Sequence, residues 1–228
     1  MENDRATKRR AANRCRRVAR PTIYFVHRDV AKSSVSITVP RVPGDEGERA
    51  AADLWSNYLS GGMGGLIFQE VREARGLAYS AYAYVSTGSY SDDEWFLGGS
   101  LGTQGDKTVD ALNLMLELLL EHTFDSSMVS VAKAAMEEEF RTSRITPRRV
   151  PATVSSWERA GLDADPRPAR REQTKTLSFE QLQGWSDTLA KGEMPVITVL
   201  GNREKVDLKA LANIGEVIEL KPEQLVSW

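Results

Sequence analysis

The chain is poor in the side chains that carry metal and thiol chemistry. It has one cysteine, Cys15, and two histidines, His27 and His122, 95 positions apart. A lone cysteine excludes an internal disulfide. A zinc site needs three or four converging ligands, so no metal residues are assigned in this chain. His122, at a predicted helix end, suits a C-terminal capping role instead. The G-x-S-x-G elbow of serine hydrolases is absent, and the only thiol sits in the leader among arginines, which can lower its pKa. No catalytic residue is therefore assigned. No apolar run approaches the roughly 18 residues that span a bilayer, and no apolar signal-peptide core opens the chain. Without such signals a cytoplasmic location is the default.

Charge is the next scarcity. The net charge is −2 over 228 residues, with 41% hydrophobic and 27% charged residues. That is a globular balance with material for a sizeable core. The length suits one domain, or one built from two similar halves. Residues 1–20 hold eight Arg/Lys against Glu2 and Asp4, a balance of +6, which leaves −8 for the rest. They read as a basic, disordered tail, a solvated leader. They are Arg- and Ala-rich like an organellar presequence, although the early acids count against that. Nucleic-acid binding through the tail is the weaker idea and would have to be salt-sensitive. The folded domain is expected over residues 21–228.

Periodicity outlines an α+β domain, a mostly antiparallel sheet with helices on one face. Residues 22–26 and 34–39 are rich in β-branched side chains and predict strands. Asp45 with Glu48 resembles a capping box before a helix that buries Ala51, Leu54, Trp55, Tyr58 and Leu59. A short helix follows over 64–75, with Gly76 as its C-cap. Residues 78–86 and 94–102 predict an antiparallel pair. Asp106 is placed to cap an apolar helix, and Asp125 or Ser126 a helix with the stripe Val129, Ala132, Met136 and Phe140. The Pro- and Arg-rich stretch 146–171 predicts one short helix over 154–160 and a loop through 163–168. A helix over 178–190, with Ser178 and Gln181 suiting a capping box, a strand over 196–200, a short helix over 208–212 and a strand over 217–220 complete the order. Strands and helices recur loosely near the end, which hints at internal duplication. Glu137, Glu138 and Glu139 beside Arg141 and Arg144 predict a solvated face with pairing along the helix.

The glycine cluster at residues 61–65 invites a phosphate loop but lacks the following Lys-Ser/Thr, and a helix precedes it instead of a strand. It predicts a flexible turn between helices. After it come Arg72, on the polar side of the short helix, and Tyr79, at the start of the strand. Gly76 turns the chain between them. An arginine fork and a phenol together can hold a peptide carbonyl or carboxylate. Spacing alone favours the plainer account, a surface arginine and a tyrosine packing within its strand.

The run from Gly61-Gly62-Met63-Gly64-Gly65 through Gln69-Glu70-Val71-Arg72-Glu73-Ala74-Arg75-Gly76 to Tyr79-Ser80-Ala81-Tyr82-Ala83-Tyr84 resembles the C-terminal, non-catalytic half-domain of the insulinase/pitrilysin-like zinc metallopeptidases, the inverted H-x-x-E-H family. Gly102-Thr103-Gln104-Gly105-Asp106, Gly161-Leu162-Asp163-Ala164-Asp165 and Val199-Leu200-Gly201-Asn202 extend the resemblance by order and distance over roughly residues 22–220. It implies a half-domain of the mitochondrial-processing-peptidase type. In that family one half carries H-x-x-E-H and a distal Glu that bind zinc, and the other supplies an Arg and a Tyr that contact substrate. Those two fall on Arg72 and Tyr79. H-x-x-E-H itself is absent. Leu118-Leu119-Leu120-Glu121-His122 has Leu where its first His belongs. If the halves are duplicates, the zinc helix corresponds to residues 51–59, which offer Asp53, Ser56 and Asn57.

The resemblance implies a non-catalytic half or subunit that binds peptide substrate and completes a chamber opposite a zinc-bearing H-x-x-E-H partner. Zinc is expected in that partner and no cofactor in this chain. Peptidase activity is expected only in the pair. The alternative is an inert interaction module of the same fold, pairing with itself as a homodimer or with another protein. No membrane partner is expected.

Overall fold

Alternation of serine with β-branched residues in the second strand sets the geometry of the sheet. The structure, a computed structural model, describes residues 11–41, 44–121, 123–189 and 191–224; His122 lies outside them. β1 spans Thr22–His27 and β2 Lys32–Arg41. Val35, Ile37 and Val39 of β2 turn inward and are fully buried, while Ser34 and Ser36 face solvent. Such two-residue alternation is what a half-covered sheet requires. β3 (Ala78–Ser86), β4 (Trp95–Gln104), β5 (Val196–Gly201) and β6 (Glu216–Leu220) complete a six-stranded sheet of order β3-β4-β2-β5-β1-β6. The pairings β3–β4, β4–β2 and β2–β5 are antiparallel, whereas β1 runs parallel to both β5 and β6. The sheet is mostly antiparallel, as its sequence predicts.

Helices cover the inward face. They are α1 (Arg49–Ser60), α2 (Thr108–Leu120), α3 (Ser126–Thr142), α4 (Val150–Arg159), α5 (Arg167–Thr176), α6 (Phe179–Ser186) and α7 (Leu208–Ile214). α1 packs on β3, α2 on β4 and β2, and α3 and α5 lie against α1. Ile23, Phe25, Leu54, Trp55, Leu97, Leu112 and Met115 are all fully buried between sheet and helices. Each such side chain contributes about 1.5–3 kcal/mol of burial. The outward face shows Ser34, Ser36, Tyr82, Tyr84 and Thr198 to solvent. Among the described residues no helix is long and apolar enough to cross a membrane.

Several local expectations hold. Asp45 accepts from the Glu48 amide, Asp125 caps α3 by accepting from the amides of Ser127 and Met128, and Ser178 with Gln181 closes a capping box on α6. Others do not. Asp106 caps nothing; it sits in a 3₁₀ turn, Gly105–Lys107, that leads into α2. The stretch read as one short helix and a loop holds two helices, α4 and α5. α5 has no apolar stripe to betray it, and only Thr174 is buried. It is held by charge instead. Asp165 accepts from the Arg167 amide and guanidinium, Arg170 bonds Glu46 at 2.6 Å, and Arg171 forks onto Glu137 of α3. Glu137 is thus paired between helices, while Glu138 makes the local pair with Arg141 at 3.3 Å. The strands near the start and the end share a single sheet, with β5 inserted between β1 and β2.

Residues 11–20 run along the start of β4. Asn13 donates its amide to Asp93 and accepts from the Glu94 amide. The Glu94 carboxylate accepts from the Cys15 amide at 2.7 Å and from Arg17 at 2.8 Å. Burial pushes the Glu94 carboxyl up, but the Cys15 amide, Arg17 and Arg14 pull it further down, to below its ordinary value. Burial and Glu94 raise the Cys15 thiol despite Arg17. The thiol is therefore not activated as its arginine neighbours suggest.

Candidate functional site

Between α1 and β3 the chain makes a compact hinge that sets the candidate residues. Gly61 ends α1, its amide bonded to the Asn57 carbonyl at 2.6 Å, and a 3₁₀ turn, Gly62–Gly64, follows. The next helical segment is not a plain α-helix: Phe68–Ala74 is π-helical, with Val71 buried. A π-turn widens the helix by one residue and rotates the side chains after it. The segment stops in a left-handed glycine cap, in which Gly76 donates to the Arg72 carbonyl and Leu77 to that of Val71. Gly76 takes φ +58°, a backbone state that L side chains avoid.

β3 then begins with a bulge. Ala78 pairs with Thr103 and Ser80 with Gly102, so Tyr79 is the extra residue. A bulge re-aims its side chain out of the sheet's alternation, and Tyr79 is 73% exposed. The two irregularities bring the predicted pair together. The Arg72 guanidinium carbon lies 5.8 Å from the Tyr79 ring centroid and 5.0 Å from that of Phe68. Arg72 is half exposed, and its carboxylate contact is Glu73 at 3.6 Å, also exposed. Such a surface pair is weak and leaves guanidinium N–H groups for a ligand. Lys32, at the start of β2, sits over the same ring at 4.7 Å. Sequence reasoning missed Lys32, and no local signal marks it; the β2–β4–β3 register alone brings it there. A cation on either contact with a phenol ring favours a carbonyl or carboxylate oxygen among them.

A second feature lies on the polar edge of α1. Ser56 and Ser60 turn toward the outer edge of β3, where their hydroxyls accept from the amides of Val85 at 3.0 Å and Ala83 at 2.7 Å. That satisfies an edge strand which would otherwise be open to pairing. Asp53 and Asn57, on the same helix edge, open into a cavity of about 960 Å³ between α1, α3 and α5. Asp53 is accessible to solvent but crowded by protein, and burial raises its carboxyl against the opposing pull of Arg170 and Arg49. If the two halves of the family are duplicates, these are the positions that correspond to the zinc helix. Their donors are a carboxylate, a hydroxyl and an amide, with Glu139 on the facing helix, a set without the His or Cys ligands that zinc prefers. They do not fit zinc. Among the described residues no group of three or more His, Cys, Asp or Glu is placed to hold a metal ion. Leu118 and Leu119 of the L-L-L-E-H string are buried in the core.

The family model described as "Peptidase M16 inactive domain" matches residues 8–136, more than half of the chain. The chain belongs to that family. As an M16 inactive domain it is similar to uncharacterized zinc proteases of Mycobacterium tuberculosis, 44% identical over 64 residues, and Streptomyces coelicolor, 38% identical over 64 residues. Each match covers 28% of this chain and 14% of the relative. Its fold is that of the crystal structure of the peptidase M16 inactive domain from Pseudomonas fluorescens, with a TM-score of 0.70, 19% identity, and coverage of 82% of this chain and 45% of that one. The chain spans about half the length of the relatives and solved chain it matches.

Proposed function

We propose that this M16 inactive domain is the non-catalytic half of a zinc metallopeptidase. In this proposal Arg72 and Tyr79 hold peptide substrate and face a zinc-bearing H-x-x-E-H half supplied by another polypeptide or another part of a longer one. The observation that carries it is the convergence of Arg72 and Tyr79 through a π-turn and a bulge, irregularities that a purely structural segment does not need. The family, and the solved chain of which the matched part covers 45%, support a second half elsewhere. Chemically, the Arg72 fork and the Tyr79 hydroxyl would orient the scissile peptide and steady charge that develops on its carbonyl oxygen.

The test is reconstitution. The chain is mixed with the H-x-x-E-H protein of the same source and assayed on a quenched peptide library. Activity absent from this chain alone should appear in the mixture. Arg72→Ala removes a charge-assisted contact of about 1.5–3 kcal/mol, roughly a 10- to 100-fold loss in kcat/KM. Tyr79→Phe removes a neutral one, about a three- to tenfold loss. Unchanged turnover in both variants would rule out their assigned role.

A second function has its own support. Tyr82 and Tyr84 stack at 6.0 Å on the uncovered sheet face, and Tyr84 meets Phe96 at 5.9 Å. An aromatic ladder of this kind suits a protein-interaction module. Peptide turnover in the reconstituted pair separates the two.

A further inference from the structure

The cavity between α1, α3 and α5 is distinct from the Arg72–Tyr79 site, and its unmet chemistry is of one sign. Three arginines line it, but each is already engaged, and Arg170 and Arg49, which also act on Asp53, are both bonded to Glu46. Arg167 is held by Asp165 and Arg171 by Glu137, while Arg144 donates to the carbonyls of Arg141 and Ser143 at 2.9 and 3.0 Å. The acceptors are not engaged. Among the described residues neither Asp53 nor Glu139 has a side-chain hydrogen bond or an ion pair, and the Asn57 amide makes none. Asp53 and Asn57 are four residues apart on α1 and so share one face. Glu139 of α3 lines the same cavity. The rest of the wall is apolar: Met136, Phe140, Ile145 and Val150. At about 960 Å³ the space is at the upper end of what ligand pockets offer.

We propose that this cavity binds an organic cation on an apolar stem, the chemistry of an arginine or lysine side chain. The head would sit between Asp53 and Glu139 with the Asn57 carbonyl as a third acceptor. The stem would lie on Met136, Phe140 and Val150. Such a ligand supplies both things the cavity lacks, donors for two free carboxylates and cover for an apolar wall. A metal ion would supply only the first, and an anion neither.

The test uses the whole chain and acetyl-arginine N-methylamide as probe, followed by calorimetry and by amide chemical shifts. Shifts are expected at residues 53–60 and 136–145. The citrulline analogue has nearly the same shape without the charge and should bind at least tenfold more weakly. Asp53→Asn and Glu139→Gln should each weaken the arginine probe about tenfold. Their melting curves verify folding. Butylguanidinium distinguishes the two sources of this chemistry: affinity equal to the peptide's supports recognition of head and stem alone, and affinity at least tenfold lower supports a peptide occupant. Arg72→Ala should leave all of these values unchanged, so failure here is separate from failure of the proposed substrate site. Equal binding of the arginine and citrulline probes, or full binding by both carboxylate variants, would overturn the proposal.

Discussion

Removing the two hydroxyls that close the β3 edge should destabilise the domain and open it to self-association. Ser60 accepts from the Ala83 amide at 2.7 Å, and Ser56 from the Val85 amide at 3.0 Å. Ala83 is 2% exposed and Val85 9%, so water does not simply replace the lost acceptors. Leaving a buried donor unsatisfied costs about 1–3 kcal/mol. Both serines are themselves only half buried, which places each single change toward the lower end. Ser56→Ala/Ser60→Ala together should therefore cost about 2–4 kcal/mol, a Tm fall of about 4–16 °C at this size. Ser60→Thr keeps a hydroxyl and should cost less. Urea unfolding gives the energy, amide exchange at Ala83 and Val85 shows where it arises, and size-exclusion chromatography detects pairing through the freed edge. A double variant that melts like the wild type, with both amides still protected, would refute the edge-closing role.

Other consequences are simpler to check. Gly76→Ala meets no atom within 4 Å, so its cost is backbone strain alone; about 1–2 kcal/mol, or a Tm loss of about 2–8 °C, is expected, and no loss would contradict the left-handed cap. The carboxyls of Glu94, Glu137 and Asp165 are held below their ordinary values, and in Glu137 and Asp165 the arginine hydrogen bonds are the largest cause. Depressed groups contribute stability that is complete above their unfolded pKa and is lost as pH falls through the folded one. Denaturant midpoints should therefore drop from about pH 5 downward, and Glu137→Gln should flatten that slope. Asp53 has the opposite sign: its raised carboxyl disfavours the charged folded form, so Asp53→Asn should raise the Tm at neutral pH, and a lowered Tm would contradict the crowding at that site.

Much of the fold was legible because it rests on periodic burial. The serine–aliphatic alternation of β2 and the stripe of α1 each state which face goes inward, and β3 matches its predicted span at both ends. α5 was hidden because Arg170 and Arg171 hold it through Glu46 and Glu137, partners far away in the chain that no local pattern can announce. The site was legible only in part. Arg72 and Tyr79 could be named from their flanking glycine and from the family resemblance, but spacing could not choose between a ligand pair and two ordinary surface residues. What joins them is a π-turn and a bulge, one-residue irregularities invisible to pattern matching. Lys32 was missed for a related reason. It reaches its place through tertiary packing, and Glu139, exposed on α3 as expected, also borders the cavity that α5 and α1 build beside it.

The central claim is that Arg72 and Tyr79 serve a zinc centre that this domain does not itself provide. Its most direct test is peptide cleavage by the mixture of this chain and a zinc-bearing H-x-x-E-H half, measured beside zinc content in each component. The account predicts cleavage only in the mixture, zinc only in the partner, and a 10- to 100-fold loss with Arg72→Ala at unchanged Tm. Cleavage by this chain alone with one tightly bound zinc, or a mixture indifferent to both Arg72→Ala and Tyr79→Phe, would contradict it.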